Sequence, residues 1–175
     1  MGPFINISKI QRTSFQFASA KGIRIAWFNM LKRRSNSLLS FREVRALLGL
    51  YRKHDRGLQY VELDSIVGSV GREQDFSRDF YPKYEHLKAR WESVNQLFHQ
   101  SGFQPVELYK VGNVYFVLDG HHRVSVSRAY DTGFVEAYVT EYPCRIDVDT
   151  HDDLKSIANK LNRTRTPSGT FALSP

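Results

Sequence analysis

The chain has 175 residues, 41% of them apolar and 13% aromatic, which is enough for one globular domain with a real core and flanking tails. Twenty-five Lys and Arg against 18 Asp and Glu leave a net charge of +7, so the surface attracts phosphate-rich partners at low salt. The single Cys144 excludes an internal disulfide, and no apolar run approaches the roughly 20 residues of a bilayer span; with no signal-peptide pattern, a cytoplasmic protein without a membrane partner is expected.

In chain order, Ser14 to Arg34 carries apolar residues at helical spacing, with a weak point at Gly22. Ser40 followed three residues later by Glu43 forms a capping-box pattern, and Val44, Leu47, Leu48 and Tyr51 continue it; this predicts a helix from Phe41 to Lys53, stopped near Gly57. Leu58 to Leu63 alternates like a strand, and the stretch Asp64 to Arg72, with two glycines and no period, reads as a loop. Tyr84 to His99 has one apolar face, with Leu87, Trp91, Val94, Leu97 and Phe98 as core. Val106 to Lys110 and Val114 to Leu118 form a hairpin about Gly112-Asn113. A helix follows from His121 to Tyr130, then a strand from Val135 to Glu141 and a helix from Asp147 to Leu161. The mixed Arg, Thr, Pro, Ser and Gly composition from Asn162 to Pro175 reads as a flexible tail.

The segment that carries chemistry is Asp119-Gly120-His121-His122-Arg123. A strand that runs straight into Asp-Gly and then a helix gathers free backbone N–H groups and the positive end of the helix dipole at one spot. Gly120 admits a ligand close to the main chain, and Arg123 adds a fork of donors matched to phosphate oxygens. On the first helical turn His121 and His122 point in different directions, so only one is expected to face the ligand with Arg123. Asp119 either caps the helix or holds a magnesium ion carried by phosphates. The plain alternative is that Asp119 is only a cap, Gly120 a turn residue and the histidines satisfied surface groups. Adjacent histidines lack the spacing that puts two zinc ligands on one helical face. Gly68-Ser69-Val70-Gly71-Arg72 lacks the Gly-Lys-Ser of a phosphate loop, yet Ser69 and Arg72 are candidates for a second phosphate contact; Arg72 paired with Asp75 or Asp79 is the competing reading.

Asp119 to Arg123, followed by Val124-Ser125-Val126-Ser127-Arg128, resembles the second conserved box of the ParB and sulfiredoxin superfamily, in which the turn meets nucleotide phosphates. Val61 to Ile66, leading to Arg72, resembles the strand and loop beside that turn, so the likeness covers about Leu58 to Glu141. The Asp-Gly-His-His-Arg string is most similar to the free serine kinase branch, where a glutamate after the first box acts as base; that implies Glu73, with Glu62 and Asp75 as weaker candidates. The chain departs from partition ParB proteins, which carry a Glu-Arg-Arg type turn and a helix-turn-helix domain, and from sulfiredoxins, which carry cysteine where His121 stands.

The resemblance implies an α+β fold: a compact ParB/sulfiredoxin-like domain over 58–161 with a small mixed sheet, preceded by a basic helical extension over 1–57 and followed by the tail 162–175. It implies a nucleotide-phosphate-binding protein, a phosphotransferase or nucleotide hydrolase using ATP, ADP or CTP with Mg2+. In that reading Glu73, Asp119 and His122 are catalytic, with Asp119 on magnesium, and Ser69, Arg72, Gly120, His121, His122 and Arg123 bind phosphate. The alternative is a ParB-like DNA-binding, nucleotide-switched or nuclease-like regulator, in which Lys21, Arg24, Lys32, Arg33, Arg34, Arg42, Arg45, Arg52 and Lys53 of the N-terminal region touch DNA. A homodimer is a further expectation, with Trp27 and Phe28 as core or dimer contacts.

Overall fold

The computed structural model describes residues 13–31 and 35–165. Their elements are α1 (Phe15–Leu31), β1 (Leu39–Ser40), α2 (Phe41–Leu48), β2 (His54–Glu62), β3 (Ile66–Ser69), α3 (Lys88–Ser101), β4 (Val106–Val111), β5 (Val114–Asp119), α4 (His121–Ala129), β6 (Phe134–Glu141) and α5 (Leu154–Arg165). The fold is α+β, built on a mixed sheet in the order β1-β3-β5-β4-β6-β2. β5 pairs antiparallel with β4, as the Gly112-Asn113 hairpin predicts, and parallel with β3; β4 runs parallel to β6, and β2 closes the far edge antiparallel to β6.

Both faces of the central strands are buried. Val117, Val106 and Leu108 pack with Phe15, Trp91, Phe98 and Val124 beneath α1, α3 and α4, while Val114 and Phe116 pack with Phe41, Val44, Val148 and Ile157 beneath α2 and α5. Alternation along β5 therefore distributes side chains between two cores rather than between core and solvent. Residues ahead of Leu58 are built into both: Phe15 and Ala18 belong to one core, Phe41 and Val44 to the other, and β1 pairs with β3.

Several element boundaries differ from the sequence expectation. α2 stops at Leu48 because Gly49 takes a left-handed conformation, φ 63°, and the Leu50 amide donates to the Arg45 carbonyl; this earlier glycine ends the helix before Gly57 can. Ser40 precedes α2 but makes no side-chain cap. The freed chain enters β2 at His54, four residues ahead of the expected strand. Ile66–Ser69, expected within a loop, is an inner strand: every residue is buried, so it shows no alternation. Gly68 fits there because a Cβ would lie 2.2 Å from the Phe116 ring and 2.6 Å from the Leu39 carbonyl. α3 is preceded by a 3-10 turn, Glu85–Leu87. α5 starts only at Leu154, since Asp153 Oδ1 accepts the Ser156 amide at 2.7 Å and caps it there. It runs on to Arg165, into the expected tail; residues 166–175, like Lys32, Arg33 and Arg34, lie outside the described residues.

Candidate functional site

β3 and β5 run parallel, so their C-terminal ends deliver Ser69 and Asp119 to the same edge of the sheet, where α4 begins. Gly120 makes the sharp exit from β5 with φ 97°. A Cβ there would lie 2.6 Å from Val106 Cγ1 and 3.0 Å from the Arg123 Nε, so glycine is required by both conformation and space. The first-turn amides of a helix have no intrahelical partners, and among the described residues no side chain caps those of α4.

The two histidines converge instead of diverging. His121 Nε2 lies 2.8 Å from the Ser69 hydroxyl, and Ser69 Oγ also accepts the Arg72 amide at 3.0 Å, which folds the 69–72 loop against the helix start. The His121 ring stacks on Phe76 at 6.2 Å, and His122 meets the same ring edge-on at 5.4 Å. Sequence reasoning separated the pair by their angular offset; the shared wall of Phe76, from a distant loop, gathers both. His121 is 6% exposed and His122 7%, and His122 Nδ1 is buried with no hydrogen-bond partner among the described residues.

Burial first and Arg72 second, joined by His122 for His121 and by Arg90 for His122, push both imidazoles down to about 4. Both are thus neutral at physiological pH. The Arg72 guanidinium sits 5.7 Å from the centre of the Phe76 ring and bonds Asp75 at 2.7 Å through its Nε. The two readings of Arg72 are therefore compatible, since it pairs with Asp75 while bordering the histidines. Arg90 has no ion-pair partner among the described residues. Neither Phe76 nor Arg90 was singled out by the sequence: no motif marks Phe76, and Arg90 stands off the apolar face of its helix.

Of the other expected site residues, Glu73 lies on the same loop and its carboxylate accepts the Gly71 amide at 3.1 Å. Arg123 turns away from the histidines: its Nη1 donates to the carbonyls of Gln104 and Pro105 at 2.9 and 2.7 Å, and its Nη2 binds Asp119 at 2.5 Å. The Asp119 side chain is 69% exposed. Glu62 ends β2, on the opposite edge of the sheet. Among the described residues no group of three or more His, Cys, Asp or Glu could hold a metal ion. Asp119, a single exposed carboxylate, fits one ligand position of a magnesium ion already carried by phosphates and no more than that.

A cavity of about 500 Å³ opens at the other end of α4, lined by Asp64, Arg78, Asp79, Arg128, Asp152 and Asp153 among others. Its charges are largely matched from within. Arg128 pairs with Asp64 and donates to the Leu63 carbonyl at 2.6 Å, Arg78 donates to the carbonyls of Thr150 and Asp152 at 2.9 Å, and Asp152 binds Lys160 at 2.6 Å.

No family model matches the chain, and no curated protein matches it. Among solved structures, the sulfiredoxin from Arabidopsis thaliana is similar over 49% of this chain and 86% of its own, with 14% identity and a TM-score of 0.36. At that identity and score the likeness says nothing of ligand or reaction.

Proposed function

We propose that the start of α4 binds the phosphates of a nucleotide and that the protein is a nucleotide-dependent phosphotransferase or hydrolase. The observation that carries this reading is a buried, unpartnered Nδ1 on neutral His122 beside Arg72, at an uncapped helix start. A buried polar atom without a partner costs stability, and a phosphate oxygen supplies the missing charge and hydrogen bond together. The first-turn amides of α4 point out of the helix start, and the dipole favours an anion there.

In this reading Arg72 and Arg90 are the cations that face phosphate, and Ser69 holds His121 and the Arg72 amide in position. Arg123 and Asp119 brace the turn against the 104–105 carbonyls, with Asp119 offering its exposed oxygen to magnesium. Glu73 accepts the proton of the attacking hydroxyl or water as that oxygen bonds the terminal phosphorus of a nucleoside triphosphate and the nucleoside diphosphate leaves. Such transfer needs positioning and charge stabilisation more than covalent groups.

Calorimetric titration of ATP, ADP and CTP, each with magnesium, tests this in wild type, Arg72→Ala and Arg128→Ala. The expected result is a loss of affinity of roughly 100-fold in Arg72→Ala, the scale of one charge-assisted contact, with wild-type affinity in Arg128→Ala. Equal affinity in all three removes the site from this helix start. No binding of any nucleotide removes the reading, and duplex DNA then becomes the ligand to titrate.

A further inference from the structure

α1 carries apolar residues on two faces. Phe15, Ala18 and Gly22 are buried against the core, whereas Phe17, Ile23, Trp27, Met30 and Leu31 on the other side are 56, 59, 64, 62 and 77% exposed. At 100° per residue these five fall on one arc of the helix, interrupted by Gln16 and Arg24. A helix apolar on two faces normally buries both, and an exposed apolar patch of this kind marks an interaction surface.

The charge around this face identifies the occupant. From Met1 to Arg42 the sequence holds eight Lys and Arg and no Asp or Glu; the first acid is Glu43. One of those cations, Arg24, stands on the face itself, and Lys32-Arg33-Arg34 follow Leu31 directly in sequence. A second copy would bring two such acid-free segments together, at the cost of mutual repulsion. A nucleic acid would meet the cations but leave Ile23, Trp27, Met30 and Leu31 against phosphate and water. An anionic bilayer surface satisfies both features, since Trp, Leu and Met enter the headgroup boundary while Lys and Arg meet lipid phosphate.

We infer that α1 is a peripheral docking helix for anionic phospholipid membranes. This departs from the expectation of no membrane partner. Docking is in the plane of the surface: α1 has seventeen residues, and no described helix is long and apolar enough to cross a membrane. The inference is independent of nucleotide binding.

The test uses the full chain and vesicles of phosphatidylcholine with or without about one third phosphatidylserine, read by sedimentation and tryptophan emission. Of the two tryptophans, Trp91 is fully buried and Trp27 is exposed, so a change in emission reports α1. The expected result is binding to the anionic vesicles with a blue shift, weakened by salt, and weaker by roughly tenfold or more in Ile23→Glu combined with Leu31→Glu. That variant retains both tryptophans and changes only exposed positions, and circular dichroism verifies its fold. Absence of binding, binding without a Trp27 shift, equal binding to neutral vesicles, or binding retained in the variant each overturns the inference. So does a salt-insensitive dimer that the same two substitutions dissolve while wild type ignores vesicles.

Discussion

The two ends of α4 face opposite electrostatic situations. At its C-terminal end the charges are matched: Arg128 pairs with Asp64, although its Nε is buried without a hydrogen-bond partner among the described residues, Arg78 donates to backbone carbonyls, and Asp152 takes Lys160. At its N-terminal end Arg72 has Asp75 and both histidines are held neutral, but among the described residues Arg90 has no ion-pair partner and one imidazole nitrogen no hydrogen-bond partner. The cavity of about 500 Å³ belongs to the end whose charges are matched. The proposed site therefore follows unmatched charge beside two neutral histidines rather than cavity volume.

The comparison breaks most readily with pH. His121 and His122 sit at about 4 in the fold, against about 6.5 in an unfolded chain. Between these values the unfolded state binds more protons, so stability falls as pH drops from about 6.5 toward 4, by up to roughly 3 kcal/mol for each histidine. Urea denaturation from pH 7 to 4.5 should follow this slope, and replacing both histidines with Gln should flatten it. A slope unchanged by the double substitution would place the acid sensitivity elsewhere.

Arg128→Ala probes the other end. It strips the half-buried Leu63 carbonyl of a donor and should cost about 1–3 kcal/mol in thermal or urea unfolding, while leaving nucleotide affinity as in wild type. Asp64→Ala should be the mildest change, under about 1 kcal/mol in the same assay, because its side chain is 90% exposed. Nucleotide affinity that fell with either substitution would erase the distinction between the two ends.

Legibility in the sequence followed the physics of each segment. The hairpin from Val106 to Leu118 was readable because Gly112-Asn113 marks its turn, and the start of α4 because Asp-Gly interrupts an apolar strand. Ile66–Ser69 was not, since a four-residue strand buried on both faces has no alternation to detect. At the site, the sequence located the turn and its special glycine. It could not tell which side chains face inward: Arg123 swings to the Gln104 and Pro105 carbonyls, just ahead of β4, and the histidines are gathered by Phe76 from the loop after β3. Those relations exist only once the sheet is assembled.

The most direct measurement of the central claim is the nitrogen NMR signal of His122 Nδ1 during titration with magnesium nucleotide. The account predicts a large shift of that resonance and a rise in the His122 pKa on binding, as an anion offsets the influence of Arg72 and Arg90, with His99 and His151 unmoved. Nucleotide binding that leaves the His122 signal and its titration unchanged would contradict it.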